Sequence, residues 1–268
     1  MRITSTSNPR VKAAVKLRLR RERDAQGLIV VDGLREIDRA LSGGVDCVEA
    51  FVCPNLVEQH AGDDVAARLN ATGAEVYKVT EAVFERLAYG ARREGILLIA
   101  KRPATELESI AVPAGAVVAV LVGIEKPGNV GAILRSADAA GVSAVLLADT
   151  KTDAFNPNAI RASLGTVFHV PLAAAKADTV RTWLAAHDFN MFAARVDAEL
   201  DYTSAPLGQN AAIVLGSEAE GLPDAWRGDD ITPIRLPMHG IADSLNVSAT
   251  ASVLFYESLR QRAKGERP

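Results

Sequence analysis

Three stretches of this 268-residue chain bring amide, guanidinium, hydroxyl and carboxylate groups together with glycine-containing turns. The first, GIEKPGNVGAILRSADAAG (123–141), carries Asn129 and, six residues on, Arg135. At about 100° per residue the two share no helix face, so the spacing predicts Asn129 in the loop or at the N-cap and Arg135 on the second turn. The second, IVLGSEAEGLP (213–223), brackets Glu218 and Glu220 with Gly216 and Gly221. Glycine lets a backbone approach a ligand closely or turn with positive φ. The third, IRLPMHGIADSLNVSATASVLFYE (234–257), places Leu236, Met238, Gly240, Ser244, Leu245 and Asn246 ahead of a helical pattern. Singly, each has an ordinary reading: Asn129, Ser244 and Asn246 as helix caps, Glu218 in a surface acidic turn, Arg135 as a surface charge. All three follow an expected strand carboxyl end, where open α/β sheets place their sites.

Other chemistries lack their residues. No G-x-G-x-x-G follows a strand, and GSEAEG (216–221) has no Gly-Lys-Ser/Thr, so dinucleotide and P-loop phosphate binding are disfavoured. No serine sits in a nucleophile elbow. His60, His169, His187 and His239 are scattered without metal-ligand spacing, and no metal is expected. Cys47 and Cys53 lie in one strand-like run, VDCVEAFVC, and read as packed thiols rather than a disulfide framework.

The elements that must hold these stretches alternate between two periods. LIVVDG (28–33), VEAFVC (48–53), AEVYKV (74–79) and GILLIAK (95–101) read as strands, with helices at 35–44, 57–72 and 81–89 between them. The stretch 102–116, with Pro103 and Pro113, reads as a linker. VVAVLVGI (117–124) is a continuous apolar, β-branched run, the pattern of a strand buried on both faces of a parallel sheet. Strands at 144–149, 167–172, 189–195 and 211–216 and helices at 130–141, 157–165, 176–187 and 247–264 follow. The expectation is an α/β fold: a small domain over 1–102, the linker 103–116, and a parallel-sheet domain over 117–268.

Charge divides with the domains. Residues 1–102 hold 17 Lys and Arg against 14 Asp and Glu, whereas 103–268 hold 13 against 19. The first 23 residues contain eight basic side chains and one acidic one, Glu22. A cationic stretch on a chain of net charge −3 points to local contact with a polyanion, against the plainer reading of a solvated helix face. No apolar run is long enough to span a membrane, and the N-terminus has no apolar secretory core, so a cytoplasmic protein without membrane contact is expected.

Residues 117–257 resemble the SpoU-type (TrmH-like) RNA ribose methyltransferases of the SPOUT class. KPGNVGAILRSADAAG, LGSEAEGLP and LPMHGIADSLNVSATASVLFYE match that family's three motifs, and RASLG (161–165) fits the segment between the first two. SNPRVK (7–12), VVDGLREIDRAL (30–41) and EGILLIA (94–100) resemble its substrate-binding domain, with Glu94 standing where the family often has Gln. The third loop departs at His239–Asp243.

The resemblance implies a parallel sheet closed by a deep trefoil knot, a homodimer, and methyl transfer from S-adenosyl-L-methionine to a ribose 2′-hydroxyl, with ribosomal RNA the leading target and tRNA the alternative. A non-catalytic RNA-binding or assembly factor of the same fold is the competing class. By resemblance Arg135 activates the hydroxyl, Asn129 and Ser244 orient Arg135 or the ribose, Asn246 braces the knot, and Glu218 is a structural or substrate-orienting acid. Gly216, Leu236 and Leu245 correspond to cofactor contacts. RNA contacts are expected at Arg10, Lys12, Arg18, Arg20, Arg21, Arg23 and Arg161. Removal of residues 1–102 is expected to leave a folded, cofactor-binding dimer.

Overall fold

The computed structural model describes residues 1–57, 59–90, 94–218 and 220–265. Glu58, in the helix expected over 57–72, and Ala219, in the second motif, lie outside them. The chain forms two compact units, one of residues 1–103 with 153–169, the other of 104–152 with 170–268.

The first unit is built on β1 (Arg2–Ile3), β2 (Leu28–Asp32), β3 (Cys47–Val52), β4 (Glu75–Val79) and β5 (Ile96–Lys101) in the order β1-β4-β3-β5-β2. The pairs β1–β4 and β3–β4 are parallel, whereas β5 runs antiparallel to β2 and β3. Helices α1 (Pro9–Lys16), α2 (Arg20–Gln26), α3 (Leu34–Ser42), α4 (Gln59–Ala71) and α5 (Glu81–Leu87) complete its N-terminal part. Val11, Phe51, Tyr77, Phe84 and Leu97 form its core.

Residues 153–169, expected in the second domain, pack with the first unit. They contain α6 (Pro157–Ala162) and a single 3-10 turn at Thr166–Phe168. The strand expected at 167–172 is therefore absent there; the next strand, Leu172–Ala175, begins only at the last of these residues. Leu164 and Gly165 both have positive φ, which breaks extension, and Pro171 has no N–H for a ladder. The apolar side chains are buried all the same, Phe168 stacking on Phe155 with centroids 6.3 Å apart. Gly43 at the end of α3 makes room, since a Cβ there would lie 2.4 Å from the carbonyl oxygen of Phe168.

The second unit carries a seven-stranded, wholly parallel sheet of β6 (Val117–Val122), β7 (Ala144–Ala148), β8 (Leu172–Ala175), β9 (Asn190–Ala194), β10 (Leu200–Asp201), β11 (Ala211–Leu215) and β12 (Ile231–Arg235). Its order is β10-β12-β9-β11-β6-β7-β8. Every residue of β6 is buried, as its unbroken apolar run requires of a central parallel strand. Helices α7 (Pro127–Ala140), α8 (Ala177–Ala186) and α9 (Val247–Gly265) belong to this unit. Residues 104–116 are no free linker: Leu107, Ile110 and Ala116 are buried in the sheet core, and the Ala174 N–H donates to the Thr105 carbonyl.

Candidate active site

The carboxyl ends of β9, β11 and β12 open onto a cleft of ≈ 480 Å³ in the second unit. Its walls include Gly216, Glu218, Leu236, Ser244 and Leu245, five of the residues singled out in the sequence. The size falls within the range of small-molecule sites. Leu236 and Leu245 supply apolar surface, while Asp197, Glu218, Glu220 and Asp243 make the lining acidic.

Gly216 is required by the chain itself. A Cβ there would stand 2.3 Å from the carbonyl carbon and oxygen of Gly221, because Ser217 and Gly221 exchange backbone hydrogen bonds across a tight turn. Of the two uses of glycine expected here, the turn is visible directly: Gly216 lets the loop close on itself.

At the cleft the carboxylate of Glu218 gathers three donors. Lys126 Nζ and Asn246 Nδ2 both hydrogen-bond to it, and Asn129 Nδ2 donates at 3.2 Å. Asn246 Nδ2 also lies 3.4 Å from Asn129 Oδ1. Three segments, with contacts spanning 89 and 28 residues along the chain, meet in this way. The Lys126 ammonium, then the Asn129 amide, hold the Glu218 carboxyl below the usual carboxylate range. A carboxylate so held is an orienting anion and a poor proton acceptor.

Two placements differ from expectation. Asn129 is neither in the loop nor at the N-cap, but the third residue of α7, after Pro127. Pro127 starts the helix, Lys126 takes the N-cap without a side-chain bond, and the Asn129 side chain is left for Glu218. Arg135 consequently falls on the third turn, not the second. It is exposed, is not among the cleft-lining residues, and makes no side-chain hydrogen bond or ion pair among the described residues. Asn246 fills both of its readings: Oδ1 caps α9 by accepting the Ser248 N–H at 2.9 Å, while Nδ2 reaches Glu218.

Sequence reasoning passes over Lys126 as a partner of Glu218, and also Arg195. Arg195 follows β9, lines the cleft, and donates through Nη2 to the carbonyls of Leu222 and Pro223, each at 3.1 Å. It fixes the wall that follows the 216–221 turn. No local motif marks either residue.

Most of the residues expected to contact RNA serve the first unit internally. Arg23 is fully buried, its Nε 2.8 Å from Asp153 Oδ2 and its Nη1 on the carbonyls of Leu17 and Arg18, so it is no RNA ligand. Arg18 donates to the carbonyls of Arg86, Leu87 and Ala88 at the end of α5. Arg10 pairs with Glu49 at 2.9 Å and Glu75 at 3.1 Å. Arg161 donates to the Tyr89 carbonyl and lies 3.7 Å from Asp32. Arg20 and Arg21 are exposed, each 3.5 Å from a carboxylate, Asp24 and Glu22. Lys12 alone of the set has no side-chain partner among the described residues. Glu94, the departure from Gln, accepts the Leu34 N–H at 2.8 Å at the start of α3.

Among the described residues no cluster of His, Cys, Asp or Glu could hold a metal ion, and no described helix is long and apolar enough to cross a membrane.

The second unit is thus a parallel α/β sheet whose strand ends carry this cleft, and the first is a small mixed α/β unit. The SpoU rRNA Methylase family model matches residues 116–256, and an MRM3-like substrate binding domain matches 8–98. The chain belongs to the SpoU rRNA methylase family. It is 26% identical over 257 residues to the Bacillus subtilis 23S rRNA (guanosine(2553)-2′-O)-methyltransferase RlmP, covering 95% of this chain and 97% of that one. It is 33% identical over 226 residues to the Xylella fastidiosa 23S rRNA (guanosine-2′-O-)-methyltransferase RlmB, covering 79% and 89%. Among solved structures, an RNA 2′-O ribose methyltransferase superposes with TM-score 0.86 at 41% identity over 98% of this chain and all of that one. An AdoMet-bound rRNA methyltransferase from Sinorhizobium meliloti gives 0.88 at 28% identity, covering 97% of each.

Proposed function

We propose that this chain transfers a methyl group from S-adenosyl-L-methionine to a ribose 2′-hydroxyl of ribosomal RNA. The observation that carries the reading is the meeting of Asn129, Glu218 and Asn246, one from each family motif, beside a cleft of cofactor size. The curated relatives named above, which span nearly all of this chain or most of it, carry 23S rRNA in their names, and this favours ribosomal RNA over tRNA.

The cleft suits the cofactor. Leu236 and Leu245 offer apolar surface to a purine face, and the acidic lining complements a sulfonium and an ammonium group. When bound, S-adenosyl-L-methionine supplies the electrophilic methyl. Ser244 stands on the lining where a ribose can be oriented. Asn129 and Asn246, fixed on Glu218, hold the start of α7 and the start of α9 in one arrangement. Arg135 holds a phosphate and the target hydroxyl and lowers the hydroxyl's pKa by its charge. Its N–H groups only donate, so it acts by charge and orientation and not as a general base.

The loops at 123–129, 216–222 and 236–246 form the threaded knot in this reading, and the chain acts as a homodimer in the cytoplasm. The exposed Val253 and Tyr256 on α9 give a second copy apolar surface to cover. The position of Arg135 outside the cleft lining accords with its delivery from the partner's side. Incubation with labelled S-adenosyl-L-methionine and either ribosomal RNA or tRNA, followed by mapping of 2′-O-methyl positions, tests the reading. Label confined to ribosomal RNA ribose is expected. Label confined to tRNA would move the target, and no label in any RNA would overturn the activity.

A further inference from the structure

Apart from Arg2 in β1, the basic side chains near the N-terminus fall into two groups that the sequence cannot separate. Arg10, Arg18, Arg20, Arg21 and Arg23 are each bonded or ion-paired within the first unit. Lys12 and Lys16 are exposed, and their side chains make no hydrogen bond or ion pair among the described residues. The same holds for Arg86 on α5, a residue outside the basic stretch altogether.

These three cations share one groove. A cavity of ≈ 780 Å³ between α1 and α5 is lined by Lys12, Lys16 and Arg86, with the hydroxyls of Thr6 and Ser7 and one acid, Glu85. Lys12 and Lys16 are i,i+4 neighbours and therefore stand on one face of α1. Val11 and Val15 also line the groove; Val11 is completely buried, and Val83 and Leu87 of α5 belong to the same core cluster. The lysines and the arginine thus rise from a floor that packing holds still.

Like charges gathered in excess of the acids around them repel, and the arrangement is favourable when an anion lies between them. Long flexible cations with hydroxyl donors suit the phosphates of a nucleic acid backbone, where position rather than base identity is recognised. We propose that the α1/α5 groove, through Lys12, Lys16 and Arg86, is a seat for the phosphate backbone of the RNA substrate. This deepens the proposed RNA methylation and rests on it for the choice of RNA.

The test uses the full chain with Lys12, Lys16 and Arg86 each changed to Gln, compared with the parent and with Arg20→Gln/Arg21→Gln. All five side chains are exposed, so thermal midpoints should match. Binding to protein-free bulk ribosomal RNA is measured across salt concentrations, beside binding to vesicles of anionic phosphatidylglycerol. Every phosphate that no longer meets its cation lowers the slope of log K against log salt by about 0.7 to 0.9. The groove variant should therefore show a slope smaller by about 2 and an affinity at least tenfold weaker at low salt, with cofactor affinity unchanged. The Arg20/Arg21 variant should stay close to the parent. Equal slopes and affinities in groove variant and parent would overturn the proposal, as would a loss confined to vesicle binding. Failure of the parent to methylate any RNA counts against the activity alone, because the RNA-binding comparison is read independently of transfer.

Discussion

Arg23 and Asp153, 130 residues apart in sequence, form an ion pair of 2.8 Å with both side chains sealed from solvent. One comes from the basic N-terminal stretch, the other from the segment that follows β7. Asp153 also accepts the Phe155 N–H at 2.8 Å, and Arg23 donates to two carbonyls at the end of α1, so the pair is embedded in a hydrogen-bonded setting.

Removing Arg23 leaves the buried Asp153 carboxylate with only the longer contact to Arg102, at 3.8 Å, and removing Asp153 leaves the Arg23 guanidinium buried without its carboxylate. Arg23→Ala should lower stability by about 3–5 kcal/mol, whereas Arg23→Met with Asp153→Leu should recover most of that loss. Denaturant unfolding of the three variants checks this; equal loss in the single and the double variant would refute it.

The same pair revises what truncation should do. Deleting residues 1–102 strips Asp153, Phe155, Ile160 and Phe168 of the surface that buries them. The remainder should aggregate or expose the 153–169 segment to protease rather than give a folded unit. Limited proteolysis with mass mapping reads the outcome directly.

Gly216→Ala should act through the loop before it acts through any ligand. Its Cβ would meet the Gly221 backbone at 2.3 Å, so the turn must open. A loss of about 1–3 kcal/mol without ligand is expected, with weakened S-adenosyl-L-methionine binding. Weaker binding at unchanged stability would mean that the ligand, not the turn, excludes the side chain.

Glu218 should give the site an acid limit. Its carboxyl is held below the usual range by Lys126 and Asn129, so its bonds are intact above that range. They are lost as pH falls through the depressed folded value. Cofactor affinity of the parent should decline on strong acidification. Glu218→Gln should bind weakly at neutral pH and lack this limb. Calorimetric titration across the acid range up to neutrality would show the contrast.

Arg135→Ala should leave stability within about 0.5 kcal/mol of the parent, since the side chain is exposed and unpartnered among the described residues. Transfer should be abolished and cofactor affinity kept. Arg135→Lys should fail as well, because a compact ammonium cannot reproduce the planar donor fork. Near-normal turnover in either would remove Arg135 from the chemistry.

The sheet of the second unit was legible because period and burial agree there. The apolar run at 117–122 is short and β-branched, which favours a strand covered on both faces over a buried helix, and all of it is buried. The three site loops were legible because glycine, amide and carboxylate recur at strand ends. Elsewhere one cause recurs: a side chain's type does not name its partner. VFHVPL has strand composition, but Leu164 and Gly165 turn the chain ahead of it. Arg23 and Arg18 look like their neighbours Arg20 and Arg21, and only the tertiary fold supplies the carbonyls and the carboxylate that take them inward. Asn129 looks like a cap, but Pro127 already begins the helix two residues before it.

The return of residues 153–169 to the first unit also sets a clock on its synthesis. The strands of that unit are complete when Lys101 has been made, yet Arg23 waits 130 residues for Asp153. At ribosomal rates of about 5–20 residues per second the stretch from Lys101 to Asp153 alone takes roughly 3–10 s, long compared with the folding of many small domains. During that interval the nascent unit carries an unpaired guanidinium and an uncovered apolar face. Order of translation therefore does not coincide with order of completion: the N-terminal unit is finished only after part of its neighbour's sheet has emerged.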